Sequence, residues 1–236
     1  MSIIRLYHPE NILENSTSLL SKEHTHYLVN VMRAKRGANV NFFNKNGEWL
    51  SEIVFLEKDR VEVKFLSKIK ENTNTHNVEL AICLVKKNAM EIILQKATEL
   101  GIKKIIPIIS ERTEVKEINL ERANKIVIEA TEQSNQLEPP EISEILKLKD
   151  FLNINTNNKI FFTDINSDYI LEKNDFKEGE TVTVLVGPEG DFSPTERELI
   201  LNGSTTVAFS LSKNILRTDT AVISAISLVN FITNQH

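Results

Sequence analysis

Apolar residues alternate with polar ones through much of the first third of the chain. Val61-Glu62-Val63-Lys64-Phe65 alternates strictly, as a strand with one buried face does. Ile3–Tyr7, Ala38–Phe43, Trp49–Leu56 and Arg60–Leu66 read as strands. The turns Asn44-Lys45-Asn46-Gly47 and Lys58-Asp59 separate the last three, and Asn-Gly between apolar runs signals a hairpin. Ser21 is placed to cap a helix running to about Arg33, with Tyr27, Leu28, Val31 and Met32 on one side. These elements predict a small β-barrel or curled sheet.

The pattern changes after residues 69–77, a polar stretch that reads as a connector. Strand-like and helix-like segments then alternate. Val78–Val85, Lys104–Ile109, Lys159–Asp164, Thr181–Val186 and Thr205–Phe209 are strand-like. Asn88 is expected to cap a helix to Leu100, with Met90, Ile93, Leu94 and Ala97 at helical spacing and Gly101 as the stop. Asn119–Gln136 is a second helix. Ser193-Pro194-Thr195-Glu196 is a capping box with proline at the first helical position, and that helix ends at Asn202-Gly203. A last helix starts near Thr218 or Asp219 and buries Val222, Ala225, Ile226 and Val229. Such alternation predicts a mostly parallel sheet covered on both faces. The expected division is 1–72 and 73–236.

Composition adds little until the charge is divided the same way. The chain has 28 basic and 33 acidic side chains, a formal net charge of -5, which argues against nucleic acid as a partner. Residues 1–72 hold 11 of the basic and 9 of the acidic groups, so they are net positive, and the remainder is net negative. His24, His26, Arg33, Lys35 and Arg36 form a local basic cluster. It reads either as a solvated helix face or as a docking point for RNA. A single cysteine excludes an intramolecular disulfide and suggests a reducing compartment. With no apolar run long enough for a signal peptide or a membrane span, a soluble cytoplasmic protein is expected.

Familiar catalytic signatures are absent. There is no Gly-x-Gly-x-x-Gly, no Walker A loop and no nucleophile elbow, and the histidines lack metal-ligand spacing. Cys83, inside an apolar strand, reads as a core residue. Two segments stand out. Val184–Ser193 takes an apolar strand into a Gly187-Pro188-Glu189-Gly190 turn and then a capped helix. It is either a ligand-approach loop at a strand end or simply a β-turn. Leu211–Ala221 follows another strand and carries Arg217 at a helix mouth, where it either does chemistry or pairs with Asp219 or Glu189. The two are expected after neighbouring strands.

With these residues the chain resembles the RsmE family of bacterial ribosomal RNA methyltransferases, within the SPOUT superfamily. The family's Gly-Pro-Glu-Gly-Gly loop matches Gly187–Asp191, and its Leu-Gly-x-x-Ile-Leu-Arg-x-Glu-Thr-Ala motif matches Leu211–Ala221. Its Gln-Lys-x-x-Glu-Leu-Gly, Ser-Glu-Arg and Glu-Gln-Ser segments match Gln95–Gly101, Ser110–Arg112 and Glu132–Ser134. A His-x-x-x-Val-Leu-Arg-like pattern lies around His26 to Arg33. The chain departs from the family at Asp191, Ser212 and Asn214, and at Asn135-Gln136, where Gly-Arg is usual.

The resemblance implies an α/β protein: an N-terminal PUA-like β-barrel that binds RNA, then a SPOUT domain with a C-terminal trefoil knot. It implies a homodimer that uses S-adenosylmethionine, needs no metal or membrane, and methylates N3 of a uridine in 16S rRNA of the small ribosomal subunit. Cofactor contacts then fall to Gly187, Pro188, Glu189 and Gly190 in the first loop, and to Leu211, Ser212, Ile215 and Leu216 in the second. Within that reading Arg217 is the candidate for stabilising charge on the uracil, and Glu189 is a candidate proton acceptor. Arg5, Arg33, Lys35 and Arg36 are the candidate RNA contacts. Two alternatives are a SPOUT methyltransferase acting on a ribose hydroxyl or a tRNA base, and a non-catalytic RNA-binding protein of the same fold.

Overall fold

Strand patterning and one demanding turn organise the first part of the chain. In the computed structural model, residues 4–72, 77–155 and 158–233 are described. The chain divides into two compact units, Met1–Asn74 with Thr131–Glu138, and Thr75–Ala130 with Pro139–His236.

The first unit holds a five-stranded sheet. Its strands are β1 (Arg5–Tyr7), β2 (Thr17–Leu19), β3 (Asn39–Asn44), β4 (Gly47–Glu57) and β5 (Arg60–Glu71), in the order β1-β3-β4-β5-β2. Lys45 and Asn46 close the β3–β4 hairpin, and the Asn46 N–H donates to Asn44 Oδ1 at 2.9 Å. Gly47 has φ +141°, and a Cβ there would lie 2.4 Å from the Lys70 carbonyl oxygen. Only glycine tolerates both demands. Gly47→Ala is therefore expected to lower the stability of the unit by about 1–3 kcal/mol, read from the denaturation midpoint. An unchanged midpoint would show that the hairpin relaxes freely.

The alternation in Val61–Phe65 has the expected result: Val61, Val63 and Phe65 are buried, with Leu28, Val40, Phe42 and Ile53. Ser21 caps α1 (Lys22–His26), its Oγ accepting the His24 N–H at 3.1 Å. The helix then widens into a π turn, Tyr27–Val31, closed by the Met32 N–H on the Tyr27 carbonyl at 2.9 Å. A π turn carries one extra residue and so rotates the side chains at its C-terminal end. Leu28 stays buried, but Val31 and Met32, expected on the same face, are 57% and 39% exposed. Ile69, Lys70 and Glu71 prolong β5 and are not part of a connector. Residues 73–76 of the expected connector lie outside the described residues.

The second unit contains a seven-stranded, wholly parallel sheet. In chain order its elements begin with β6 (Val78–Cys83), α2 (Lys87–Glu99), β7 (Lys104–Ile109), α3 (Leu120–Gln133), β8 (Glu141–Ile142) and β9 (Leu146–Lys147). They continue with α4 (Leu148–Ile154), β10 (Lys159–Thr163), β11 (Val182–Val186), α5 (Pro194–Leu201), β12 (Thr206–Phe209) and α6 (Thr218–Thr233). The strand order is β12-β10-β11-β6-β7-β8, with β9 also on β7. One apolar cluster gathers α2, α3 and α6 against the sheet, and another gathers Leu148 and Phe151 of α4 with Ile200 of α5. Both faces are thus covered, as a parallel sheet requires.

Local signals decide most helix ends. Asn119 Oδ1 accepts the Arg122 N–H at 2.9 Å and caps α3. Gly101, at φ +81°, stops α2 while the Ile102 N–H returns to the Ala97 carbonyl at 3.1 Å. The start of α2 differs from expectation: Lys86 is the N-cap without a side-chain bond, and Asn88 lies inside the helix. Among the described residues no helix is long and apolar enough to cross a membrane.

Candidate active site

The carboxyl ends of three parallel strands open onto one cavity of about 340 Å³. Ligands of open α/β sheets bind at this edge, in cavities of about 300–1,000 Å³. Val186 at the end of β11 and residues 187–191 after it supply one wall, and Leu211, Ser212 and residues 214–216 after β12 supply another. Thr218 and Ala221 at the start of α6 close it. β11 and β12 are not neighbours, contrary to expectation, because β10 lies between them. Its end contributes Thr163, Asp164 and Ile165, a third wall that the two sequence motifs did not reveal. The signal for it was present: an apolar strand ending in a carboxylate at the ligand-binding edge.

Gly187, Pro188, Glu189, Gly190, Leu211, Ser212, Ile215 and Leu216 all line this cavity. The two loop glycines differ in kind. A Cβ on Gly187 would come within 3.1 Å of the Phe192 ring, so this glycine makes room for a core side chain. Gly190 has no positive φ, and a Cβ there would meet nothing closer than Arg112, at 3.8 Å. Neither backbone nor packing requires a glycine at 190, and the space beside it is open to the cavity. Asp191 adopts φ +57°, a region that Asp tolerates better than most residues. Its Oδ1 accepts the Phe192 N–H at 2.7 Å, and its own N–H closes the turn on the Pro188 carbonyl at 3.0 Å.

Two polar contacts hold the loop from behind. Arg112 Nη1 donates to the Gly190 carbonyl at 3.0 Å and to that of Phe192 at 3.4 Å. Glu196, in the expected capping box, accepts the Ser193 N–H at 3.1 Å and the Glu111 N–H at 2.8 Å. The Ser110–Arg112 segment is thereby tied to the loop. Arg112→Ala is expected to weaken ligand binding in this cavity roughly 3- to 10-fold, the net worth of one hydrogen bond, with little change in stability. Titration of a bound ligand checks this, and wild-type affinity would dismiss the contact as incidental.

Asp164 forms the most buried ion pair at the cavity. Its side chain is 3% exposed, and Oδ2 accepts Arg197 Nη2 at 2.6 Å and Nε at 3.2 Å. Hydrogen bonding to Asp164 raises the pKa of the Arg197 guanidinium. Asp164 Oδ1 accepts the Asn166 N–H at 3.0 Å, which turns the chain sharply after β10.

Arg217 stands between two lining residues but is not itself one of them. Its side chain is 80% exposed, with Nε 3.6 Å from Asp219 Oδ1. Glu189 lines the cavity and is exposed. Cys83 is fully buried, and burial pushes its thiol up to about 12, which agrees with a core role.

The four candidate RNA contacts separate. Arg33, Lys35 and Arg36 are exposed. Arg5 is not available. Its side chain is 11% exposed and lies 3.0 Å from Glu48 Oε2. It also donates to the carbonyls of Glu132 and Gln136, each at 3.0 Å, and stacks 4.3 Å over the Phe43 ring. Its hydrogen bonds go to protein acceptors, so it holds the Thr131–Glu138 segment on the first unit and is a structural residue, not an RNA contact.

An RNA methyltransferase domain model matches residues 71–230, and an RNA methyltransferase PUA domain model matches residues 20–66. The ribosomal RNA small subunit methyltransferase E of Rickettsia conorii is 34% identical, over 98% of this chain and 97% of its own. This chain belongs to the ribosomal RNA small subunit methyltransferase E family. The Bacillus subtilis member is 30% identical, over 95% of this chain and 93% of its own. A Neisseria gonorrhoeae member of the family, solved with S-adenosylmethionine, is 30% identical with a TM-score of 0.86 over 98% of both chains. A Legionella pneumophila methyltransferase, solved with the same cofactor, is 28% identical with a TM-score of 0.87 over 98% of both chains. The first unit is thus PUA-like and the second is an RNA methyltransferase domain.

Proposed function

We propose that this chain transfers a methyl group from S-adenosylmethionine to N3 of a uridine in 16S rRNA of the small ribosomal subunit. The observation that carries the reading is the three-walled cavity built from both family motifs. The cavity suits the cofactor on three counts. Its volume is adequate, Gly190 leaves room for close approach to the backbone, and Ile215 offers an apolar side chain, 88% exposed, at the wall. The loops 187–190 and 211–216 would hold the cofactor through backbone groups and apolar contact. Bound there, it supplies an electrophilic methyl group carried on a sulfonium.

Uracil N3 is a poor nucleophile until its proton leaves, and the negative charge then spreads onto the flanking carbonyl oxygens. Arg217, exposed and only loosely paired, is free to face that charge, as oxyanion-stabilising donors do. Glu189, an exposed carboxylate on the cavity wall, is the proposed proton acceptor. N3 lies on the Watson–Crick edge, so the base must be unpaired and unstacked to be reached. Arg33, Lys35 and Arg36 supply phosphate contacts from the first unit.

The same reading extends to a closed PUA-like barrel, a trefoil knot around loops 187–191 and 211–217, a homodimer and a cytoplasmic location. The β12-β10-β11 order supports the knot, since the last strand returns beyond β10. Exposed Phe231, at 65%, supports the dimer.

The test is methyl transfer from labelled cofactor to small subunits that lack the modification, followed by mass mapping. N3-methyluridine in 16S rRNA is expected, and label on a ribose or on tRNA would refute the assignment. Titration with S-adenosylmethionine alone should give a saturable signal, and its absence would end the enzyme reading.

A further inference from the structure

Residues 31–36 are exposed, except for half-buried Ala34, and carry three cations at a helix end. The π turn at Tyr27–Val31 turns Val31 and Met32 outward. Arg33 then takes φ +49°, uncommon for a residue with a side chain. A left-handed residue commonly ends a helix, but π turns inside helices concentrate at functional sites. The segment is nevertheless held at both ends. Leu28 is fully buried and its carbonyl accepts the Ala34 N–H at 2.9 Å. The Gly37 N–H donates to the Ile53 carbonyl at 2.8 Å, and the Ala38 N–H closes on the Lys35 carbonyl at 3.0 Å.

We infer that this segment is a clamp for single-stranded RNA, in which Val31 and Met32 take unstacked bases while Arg33, Lys35 and Arg36 take the adjoining phosphates. The inference rests on the proposed rRNA substrate and goes beyond it, because it assigns the apolar pair and the strained turn. Charge selects the occupant. Three cations lie within four residues and form no ion pair among the described residues. Arginine forks match phosphate oxygens. Two exposed apolar side chains are far too little for a protein interface, which needs on the order of 800 Å² per partner. They suffice for one or two bases, which duplex RNA keeps stacked and out of reach. A preformed turn binds with less loss of conformational freedom than a flexible loop would.

The test measures binding of the full-length protein to a single-stranded 16S-derived oligonucleotide and to the same sequence as a duplex, across a salt series. Two double variants are compared, Val31→Ser with Met32→Ser, and Lys35→Gln with Arg36→Gln. The first should weaken single-strand binding roughly 3- to 10-fold, the loss of two partly buried apolar contacts, leaving the salt slope and duplex binding unchanged. The second should reduce the slope by about 1.4, two phosphates at about 0.7 each. Thermal midpoints near wild type confirm that both variants fold. Wild-type RNA affinity in the Val31/Met32 variant overturns the clamp, as does a change in its sedimentation, which would assign the apolar pair to a second copy of the chain. If the clamp alone is wrong, methyl transfer to small subunits persists. A wild-type protein that neither binds the RNA nor methylates subunits overturns both the clamp and the proposed function.

Discussion

Arg217→Ala should lower turnover by about 10²–10³-fold, the usual cost of removing one preorganised donor from developing negative charge. Cofactor affinity should stay near wild type, because Arg217 does not line the cavity. Its loose contact with Asp219, 3.6 Å from a side chain 80% exposed, contributes little to stability. Single-turnover methylation of small subunits measures the first expectation and cofactor titration the second. Arg217→Lys should recover only part of the rate, since an ammonium keeps the charge but not the planar fork. Wild-type turnover in the alanine variant would remove Arg217 from the chemistry.

Arg197→Met should substantially lower the second unit's stability. Asp164 is buried, and losing Arg197 leaves its carboxylate without its cation. Breaking a buried pair typically costs about 3–5 kcal/mol. Arg197 is itself 34% exposed and solvent screens part of the interaction, so about 2–3 kcal/mol is expected here. Cofactor binding should weaken as well, because Asp164 and Ile165 form the third wall. Adding Asp164→Asn removes the stranded charge and should restore much of the stability, a coupling that a double-mutant cycle reads directly. If the single and double variants unfold at the same denaturant concentration, the pair is not what holds the wall.

Most elements that depend on neighbouring residues were legible in the sequence, although α2 starts after Lys86 rather than at an Asn88 cap. The capping box at Ser193, the stop at Gly101 and the alternation in Val61–Phe65 each rest on contacts within a few residues, and each stands in the fold. Features that depend on distant partners were not legible. Arg5 looks like a surface cation in the sequence, and only the fold brings Glu48, Glu132 and Gln136 around it. The π turn was hidden because one added residue leaves the local pattern intact while rotating Val31 and Met32 outward. The insertion of β10 between β11 and β12 is topology, and no periodicity encodes which parallel strands become neighbours. The two motifs were found because their residue types are unusual at strand ends. The Asp164 wall lacks such a signature, although a rule about where sheets bind ligands pointed to it.

The strand order has a consequence for how the protein is made. The cavity draws on residues from Thr163 to Ala221, and its last wall comes after β12, which among the described residues pairs with β10 alone. A chain emerging from its N-terminus therefore cannot complete this cavity until residues 211–221 have been synthesised. A ligand that recognises only the finished site cannot guide the earlier steps; it can only hold the completed fold by mass action. The long-range parallel pairing of this unit must therefore form without help from that ligand, and such pairing is intrinsically slow. Cofactor starvation should consequently leave folding rates unchanged and show itself only in how long the mature protein survives.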